Sequence, residues 1–501
     1  MTTIDAWIVI VFILLVTGVG YWKGRSVNTA DKYMVGGRSM GFLLLFGTLM
    51  MSEYNIGSMI AYAGFGYNVG LWGTILPLLF FFNMGVFAVV FAKKWKRLNA
   101  TSISDFFGLR YGSTLQGISG VFFILFQLTV TVAPFLAAGK IFAVGLNLPE
   151  FWTTLLLFAA VFVVSYVGGL VSVAWSHVVM CTAILIFIPV LMVVSWVKAG
   201  GMGALAAHFP EQYMGWNLVA NMNDPYMPFW PFVIGIWIGG LFNGQIWPFI
   251  IQRTYAAKDE RTAFNAMSAA SVVTVIWYTM PVIIIALVAT EFPNLADPDL
   301  AFGYAVVHWL PVGLKGLLFA VLFGICLAFG STQWNTTASL LAYDGWKRFV
   351  RPQAPSGELL KVAKISTLLI AVFAFVMSQF MRSVIDAVYL AVIFRFCLNF
   401  AGWAGWFWWR ASEKPIIVVS MIGIVLAFAI RLMMPGSSWI PIMNIHANIG
   451  LFVLGIILCY FWPVSQNELQ RRVAFYDKVG PPLIGKKSLL QARKELESVS
   501  A

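Results

Sequence analysis

Apolar runs of about 20 residues, the length an α-helix needs to cross a bilayer's hydrocarbon, recur from one end of this 501-residue chain to the other. Nothing constrains the fold more. In hydrocarbon every backbone N–H and C=O must be satisfied within the protein, and runs of this length do so as helices. We place about thirteen spans, near residues 5–23, 40–64, 72–93, 115–146, 151–168, 172–197, 229–251, 265–289, 313–341, 361–381, 386–409, 415–433 and 446–463. The chain is 60% hydrophobic and 10% charged, against roughly 45–50% and about 25% in soluble domains. No soluble core could bury that excess, so the expectation is an all-α polytopic membrane protein. The first run follows Asp5, with no basic segment before it and no small-residue cleavage site after it. It is expected to be a mature helix rather than a signal peptide.

The net charge of +12 is explained by where the charges sit. Lys23, Arg25, Lys32, Arg38, Lys93, Lys94, Lys96, Arg97, Arg110, Arg253, Lys258, Arg261, Lys347, Arg348, Arg351, Lys361, Lys364, Arg410 and Lys414 fall on one set of alternate loops. Asp297 and Asp299 lie on the other set. Cytoplasmic loops carry the excess of Lys and Arg, which puts the N-terminus outside and the C-terminus inside, as an odd number of spans requires. The charge is therefore a topology signal, and nucleic acid is not an expected partner. The lipid bilayer is. Residues 1–463 read as the transmembrane domain. Residues 464–501 read as a basic cytoplasmic tail, solvated or lying on the membrane surface. The longest external loop is 198–228. The sequon at Asn99 falls in an inside loop, where it cannot be glycosylated, and this suits a bacterial inner membrane.

Metalloprotease and nucleotide-binding patterns are missing from the sequence. The four histidines, His177, His208, His308 and His446, are scattered, and no HExxH or P-loop accompanies them. Cys181, Cys326, Cys397 and Cys459 lie inside apolar runs with neither disulfide nor metal spacing. The chain reads as a transporter of a small-molecule substrate, not an enzyme, with no organic cofactor. No feature of the sequence fixes an oligomeric state.

Glu53 stands out within "GTLMMSEYNIGSMIAYAG", midway through a span and beside Ser52, Asn55, Gly57 and Ser58. A carboxylate at that depth must pair, bind a cation or hold a proton. It is a candidate for substrate binding, with Asn55 and Ser58, and for a proton site. Arg395, also within a span, is positioned either to pair with Glu53 or to meet a substrate carboxylate. Lys140 is expected to snorkel at a helix end.

Five stretches, in order, resemble the sodium/solute symporter family: "NTADKYMVGGRSM" (28–40), "ATSISDFFGLRYG" (100–112), "YVGGLVSVAWS" (166–176), "IIQRTYAAKDERTAFNA" (250–266) and "NTTASLLAYDGWKRFVRP" (335–352). "GWFWWRASEK" (405–414) resembles one branch of it. The resemblance implies a five-plus-five inverted repeat of the leucine-transporter type, preceded by one helix and followed by two. Repeat 1 would cover about 40–197 and repeat 2 about 229–409. Substrate and ions would bind where the first helix of each repeat is broken, here within 40–64 and 229–251. It implies a symporter driven by sodium, the ion lying between backbone carbonyls at Met51 and Tyr54 and paired hydroxyls on the eighth core helix.

Counting back from Asp344 puts that hydroxyl pair at Ala328 and Phe329, which have no side-chain oxygen. Ser331 and Thr332 lie three residues later, either as the ligands after a shift of register or as hydroxyls bonded back into their own helix. The family's Thr-Asp pair is replaced by Ser176 and His177. Ser176 keeps a hydroxyl for the cation, while His177 opens a proton-coupled alternative or is a hydrogen-bonded histidine near a helix end. An Asn-Gln pair before the Gln-Arg motif becomes Trp247-Pro248. Trp247 disfavours a sugar and favours a solute with an apolar or cationic part. Proton-coupled or sodium-independent transport, or a membrane solute sensor acting with a separate signalling partner, are the competing readings.

Overall fold

The computed structural model describes residues 2–132, 135, 142, 149–295, 298–380, 393–434 and 439–500. Lys140, Asp297 and the opening of the expected span 386–409 lie outside them. Among the described residues, nine helices are long and apolar enough to cross a membrane, or ten if Phe229–Asn243 and Pro248–Ala256, bent by 46°, count as one. No strand forms among them, only isolated bridges.

Helix α1 (Thr3–Gly24) begins with a Thr2–Asp5 capping box. The Asp5 carboxylate also accepts the backbone amides of Gly313 and Gly316 at 2.8 and 2.9 Å. The expected span 40–64 is two helices, α2 (Phe42–Glu53) and α3 (Ile56–Val69). Helix α4 (Glu150–Ala199) has 50 residues, which at ~1.5 Å each is about 75 Å, more than twice a bilayer's hydrocarbon thickness. Gly169, at φ 53°, ψ −135°, breaks it between the expected spans 151–168 and 172–197. Only glycine adopts that backbone freely. Gly168 also lets α1 approach, since a Cβ there would lie 2.2 Å from the Gly24 Cα.

The second interrupted helix is α5 (Ile234–Gly244) and α6 (Pro248–Ala256). Then follow α7 (Glu260–Glu291), α8 (Leu314–Leu340) and α9 (Asn399–Phe407). Helix α8 is buried on every side from Leu318 to Leu340 and packs against α1 and α4. A helix with no exposed face belongs at the centre of the bundle, and its polar residues from Ser331 to Ser339 are buried there with it. The two interrupted helices are stitched end to end, because Met40 donates to the Ala256 carbonyl and accepts from Lys258, both at 2.9 Å.

The tail differs from the expected solvated or surface-lying segment. It forms α10 (Gln466–Val479) and α11 (Lys486–Ser500) and docks on the chain after α9. Arg472, Val473, Phe475, Tyr476 and Val479 are buried. Arg472 donates to the Trp409 carbonyl at 3.1 Å and to Glu468 at 2.7 Å, and Tyr476 donates to the Gly405 carbonyl at 3.0 Å. The Trp409 amide bonds the Ile484 carbonyl at 3.0 Å, and the Ile484 amide bonds the Phe407 carbonyl at 2.8 Å.

Candidate ion and solute site

The break between α2 and α3 is imposed from α7. In an unbroken helix the Asn55 amide would close onto the Met51 carbonyl; instead it donates to the Tyr278 hydroxyl at 2.8 Å. That hydroxyl donates in turn to the Glu53 carbonyl at 2.8 Å. The Met51 carbonyl is thereby deprived of its helical donor, and Tyr54 leaves the helix at φ −76°, ψ 97°. These are the two carbonyl positions the resemblance indicated for an ion. The Tyr54 side chain points elsewhere, its hydroxyl donating to the Trp277 carbonyl at 3.0 Å.

Asn55 and Ser58 are occupied locally. Asn55 caps α3, accepting the Ser58 amide at 2.8 Å and donating to the Ser58 hydroxyl at 3.0 Å and the Glu53 carbonyl at 3.2 Å. Glu53 is 6% exposed, and no hydrogen bond or ion pair among the described residues reaches its carboxylate. Arg395 and Arg253 are the cations whose charge acts on it.

The second break lies at Gln245–Trp247. Pro248 opens α6 as its first residue, where its missing N–H costs nothing. Trp247 caps that helix in extended conformation and lies under Arg395, whose guanidinium carbon is 4.4 Å from the indole centroid and 5.0 Å from that of Phe126. Arg395 is 5% exposed. Among the described residues its Nε and Nη1 have no hydrogen-bond partner, and neither do the two amide atoms of Gln245 or the Asn243 Oδ1.

A third group joins α2, α4, α6 and α8. Ser331 donates back to the Ala328 carbonyl at 3.0 Å. His177 Nε2 lies 3.0 Å from that carbonyl and 3.3 Å from the Ser331 hydroxyl, with its Nδ1 3.0 Å from the Thr48 hydroxyl. Thr332 lies 3.3 Å from the Ser52 hydroxyl. The structure thus brings His177, Ser331 and Thr332 together and leaves Ser176 outside, its hydroxyl donating to the Val16 carbonyl of α1 at 3.2 Å.

The residue that sequence reasoning missed is Arg253. Taken there as a basic loop residue, it is wholly buried within α6. It donates to the Thr48 hydroxyl at 3.1 Å, the Thr332 hydroxyl at 2.9 Å and the Phe249 carbonyl at 3.1 Å. Its neighbour Gln252 donates to the Met34 carbonyl at 2.6 Å and accepts Thr336 at 2.7 Å. The available signal was the unbroken apolar stretch from Trp247 to Ile251, which carries the helix past both residues.

Two interrupted helices meeting across buried polar groups define a secondary transporter, the discontinuous helices supplying free carbonyls and amides at mid-span. The chain belongs to the sodium:solute symporter family, whose sequence profile matches residues 33–434. It is similar to a Sodium/glucose cotransporter of Vibrio parahaemolyticus, 22% identical over 521 residues that cover 93% of this chain and 92% of that one. It is similar also to Sodium/myo-inositol cotransporter 2 of Sus scrofa, 24% identical, covering 84% and 69%. Among solved structures it shares the fold of a Na+-coupled sialic acid symporter in a substrate-bound outward-open state. That match has a TM-score of 0.78 and 15% identity, over 93% of this chain and 99% of that one. MhsT in complex with L-phenylalanine gives a TM-score of 0.51 and 12% identity over 84% and 99%. The leucine-transporter-type fold expected from the sequence is thus the fold observed. The chain is a multi-pass membrane transporter, not an enzyme.

Proposed function

We propose that this protein takes up a small organic solute bearing a carboxylate, by symport. Sodium is the coupling ion that family membership supports. The observation that carries the solute class is Arg395, a buried guanidinium whose Nε and Nη1 have no acceptor among the described residues. An uncompensated buried charge is costly, and a carboxylate matches the planar fork of a guanidinium with two parallel hydrogen bonds. The Trp247 ring under Arg395 holds the plane of that fork. Glu53, whose carboxylate has no hydrogen-bond or ion-pair partner among the described residues, gives an ammonium group a place to bind, which makes an amino-acid-like solute the best fit.

The relatives named for glucose and myo-inositol point toward polyols. A polyol, however, needs many hydrogen-bonding partners, and Trp247-Pro248 puts a flat apolar surface where the family resemblance leads one to expect two amides. Proton-coupled or sodium-independent transport by the same fold is a second reading, favoured by His177 and Arg253 among the hydroxyls of α2 and α8. A bacterial inner membrane is the proposed location.

The test is uptake into proteoliposomes under imposed sodium or proton gradients, against amino acids, simple carboxylates, amines and sugars. Uptake should be confined to carboxylate-bearing solutes. Arg395→Gln should lower apparent affinity by at least about 30-fold, the loss expected for one partner of a buried charge pair. Transport of a neutral sugar or a simple amine, undiminished in Arg395→Gln, would remove the carboxylate from the proposal.

A further inference from the structure

A sodium ion between α2 and α8 would need oxygen lone pairs turned toward it, as hard cations do. The break in α2 offers the Met51 carbonyl, but α8 does not supply the matching oxygens. Ala328 and Phe329 bring no side-chain oxygen. The Thr332 hydroxyl already accepts Arg253 Nη2 at 2.9 Å, and across the gap the Thr48 hydroxyl accepts Arg253 Nε at 3.1 Å. The third N–H of that guanidinium is anchored on the Phe249 carbonyl of its own helix at 3.1 Å. Ser331 is turned back onto the Ala328 carbonyl, beside the His177 ring. One side-chain cation therefore links an oxygen on each of α2, α6 and α8, which is what a bound metal ion would do, with N–H donors in place of coordination bonds.

We propose that the Arg253 guanidinium is the resident cation of this position, and that the gap between α2 and α8 takes no sodium ion. A tethered cation cannot be released into the cytoplasm. The link between the two helices is then made and broken by a side-chain movement of Arg253, and any sodium that drives transport binds elsewhere. The inference rests on the symporter reading only for its meaning in transport; the occupancy of the position can be tested without a substrate.

The experiment is thermal melting of the purified full-length protein in detergent, followed by tryptophan fluorescence, in NaCl against KCl at equal ionic strength. The wild type should melt alike in both salts, or show a sodium effect that Thr332→Val leaves intact. Arg253→Ala, with the position vacated, should gain a sodium-specific rise in melting temperature that a further Thr332→Val removes. Arg253→Lys, which keeps the charge, should gain none. A sodium-specific rise in the wild type that Thr332→Val abolishes would overturn the proposal, as would a folded Arg253→Ala that stays indifferent to sodium. The wild-type comparison decides even if Arg253→Ala does not fold. Failure of the solute assignment would appear in the uptake assay and leave these melting curves unchanged.

Discussion

Replacing Tyr278 with Phe should show how the break in the first core helix is held open. The ring is wholly buried, 4.5 Å from Tyr54 and 5.6 Å from Tyr62 between centroids, and phenylalanine keeps that packing. What is lost is a hydroxyl that accepts the Asn55 amide at 2.8 Å and donates to the Glu53 carbonyl at 2.8 Å. Stranding one such group without water costs about 1–3 kcal/mol, or about 5–150-fold in the folding equilibrium. The helix has one local escape: it can return the Asn55 amide to the Met51 carbonyl and close the break. Closure would recover part of that energy but withdraw the free carbonyls from the pathway. Tyr278→Phe should therefore lose stability within that range, or keep it and lose uptake. Melting in detergent and proteoliposome uptake, measured on the same preparation, separate the two. A variant within about 0.5 kcal/mol of wild type, with undiminished uptake, would refute the claim that this hydroxyl maintains the break.

Two further changes address elements whose roles the structure fixes. Asn55→Ala removes the α3 cap and should cost about 1 kcal/mol, seen as a lower melting temperature; a much larger loss of solute affinity than of stability would return Asn55 to the binding site. Arg472→Ala strips the docked tail of its bonds to Trp409 and Glu468 and should weaken docking by about 3–5 kcal/mol. The measurement is limited proteolysis, with cleavage after residue 464 accelerated while the membrane core stays intact.

The fold was legible where the signal is local. Hydropathy gave an all-helical membrane protein, and the gap between the expected spans 151–168 and 172–197 coincides with the break at Gly169 within α4. The break in the first core helix was expected from the resemblance, and its local signal is Asn55, whose side chain caps α3; the Tyr278 hydroxyl that completes it is not local. The break falls at Tyr54-Asn55, before Gly57, where that hydroxyl, more than two hundred residues away, captures one amide. Arg253 escaped notice for a different reason. Assigning basic residues to cytoplasmic loops treats each as a topology marker, and that habit hides the one that turns inward. The docking of the tail was readable in principle. Arg472, Phe475, Tyr476 and Val479 recur at helical spacing, the signature of a face that needs a partner, but tail composition overshadowed it.

Electrostatics links the two proposals. Arg253 and Arg395 act together on a single carboxylate, Glu53. With Arg253 Nη2 2.9 Å from the Thr332 hydroxyl, a hard cation bound to that oxygen at about 2.4 Å could be at most about 5 Å from the guanidinium. Two unit charges at that separation repel by about 3 kcal/mol in an effective dielectric of about 20. That is a weakening of roughly 150-fold, before any loss of ligands is counted. A further positive charge at Thr332 is therefore opposed by Arg253. A carboxylate arriving at Arg395 supplies that guanidinium with a counter-charge, whereas a sodium ion at Thr332 adds to the charge of Arg253. The histidine found where the family resemblance leads one to expect an aspartate acts in the same direction, because an aspartate beside Arg253 would have cancelled its charge. His177 thus leaves Arg253 without that negative charge, and Ala328 and Phe329 leave α8 without the oxygens a sodium ion would need there.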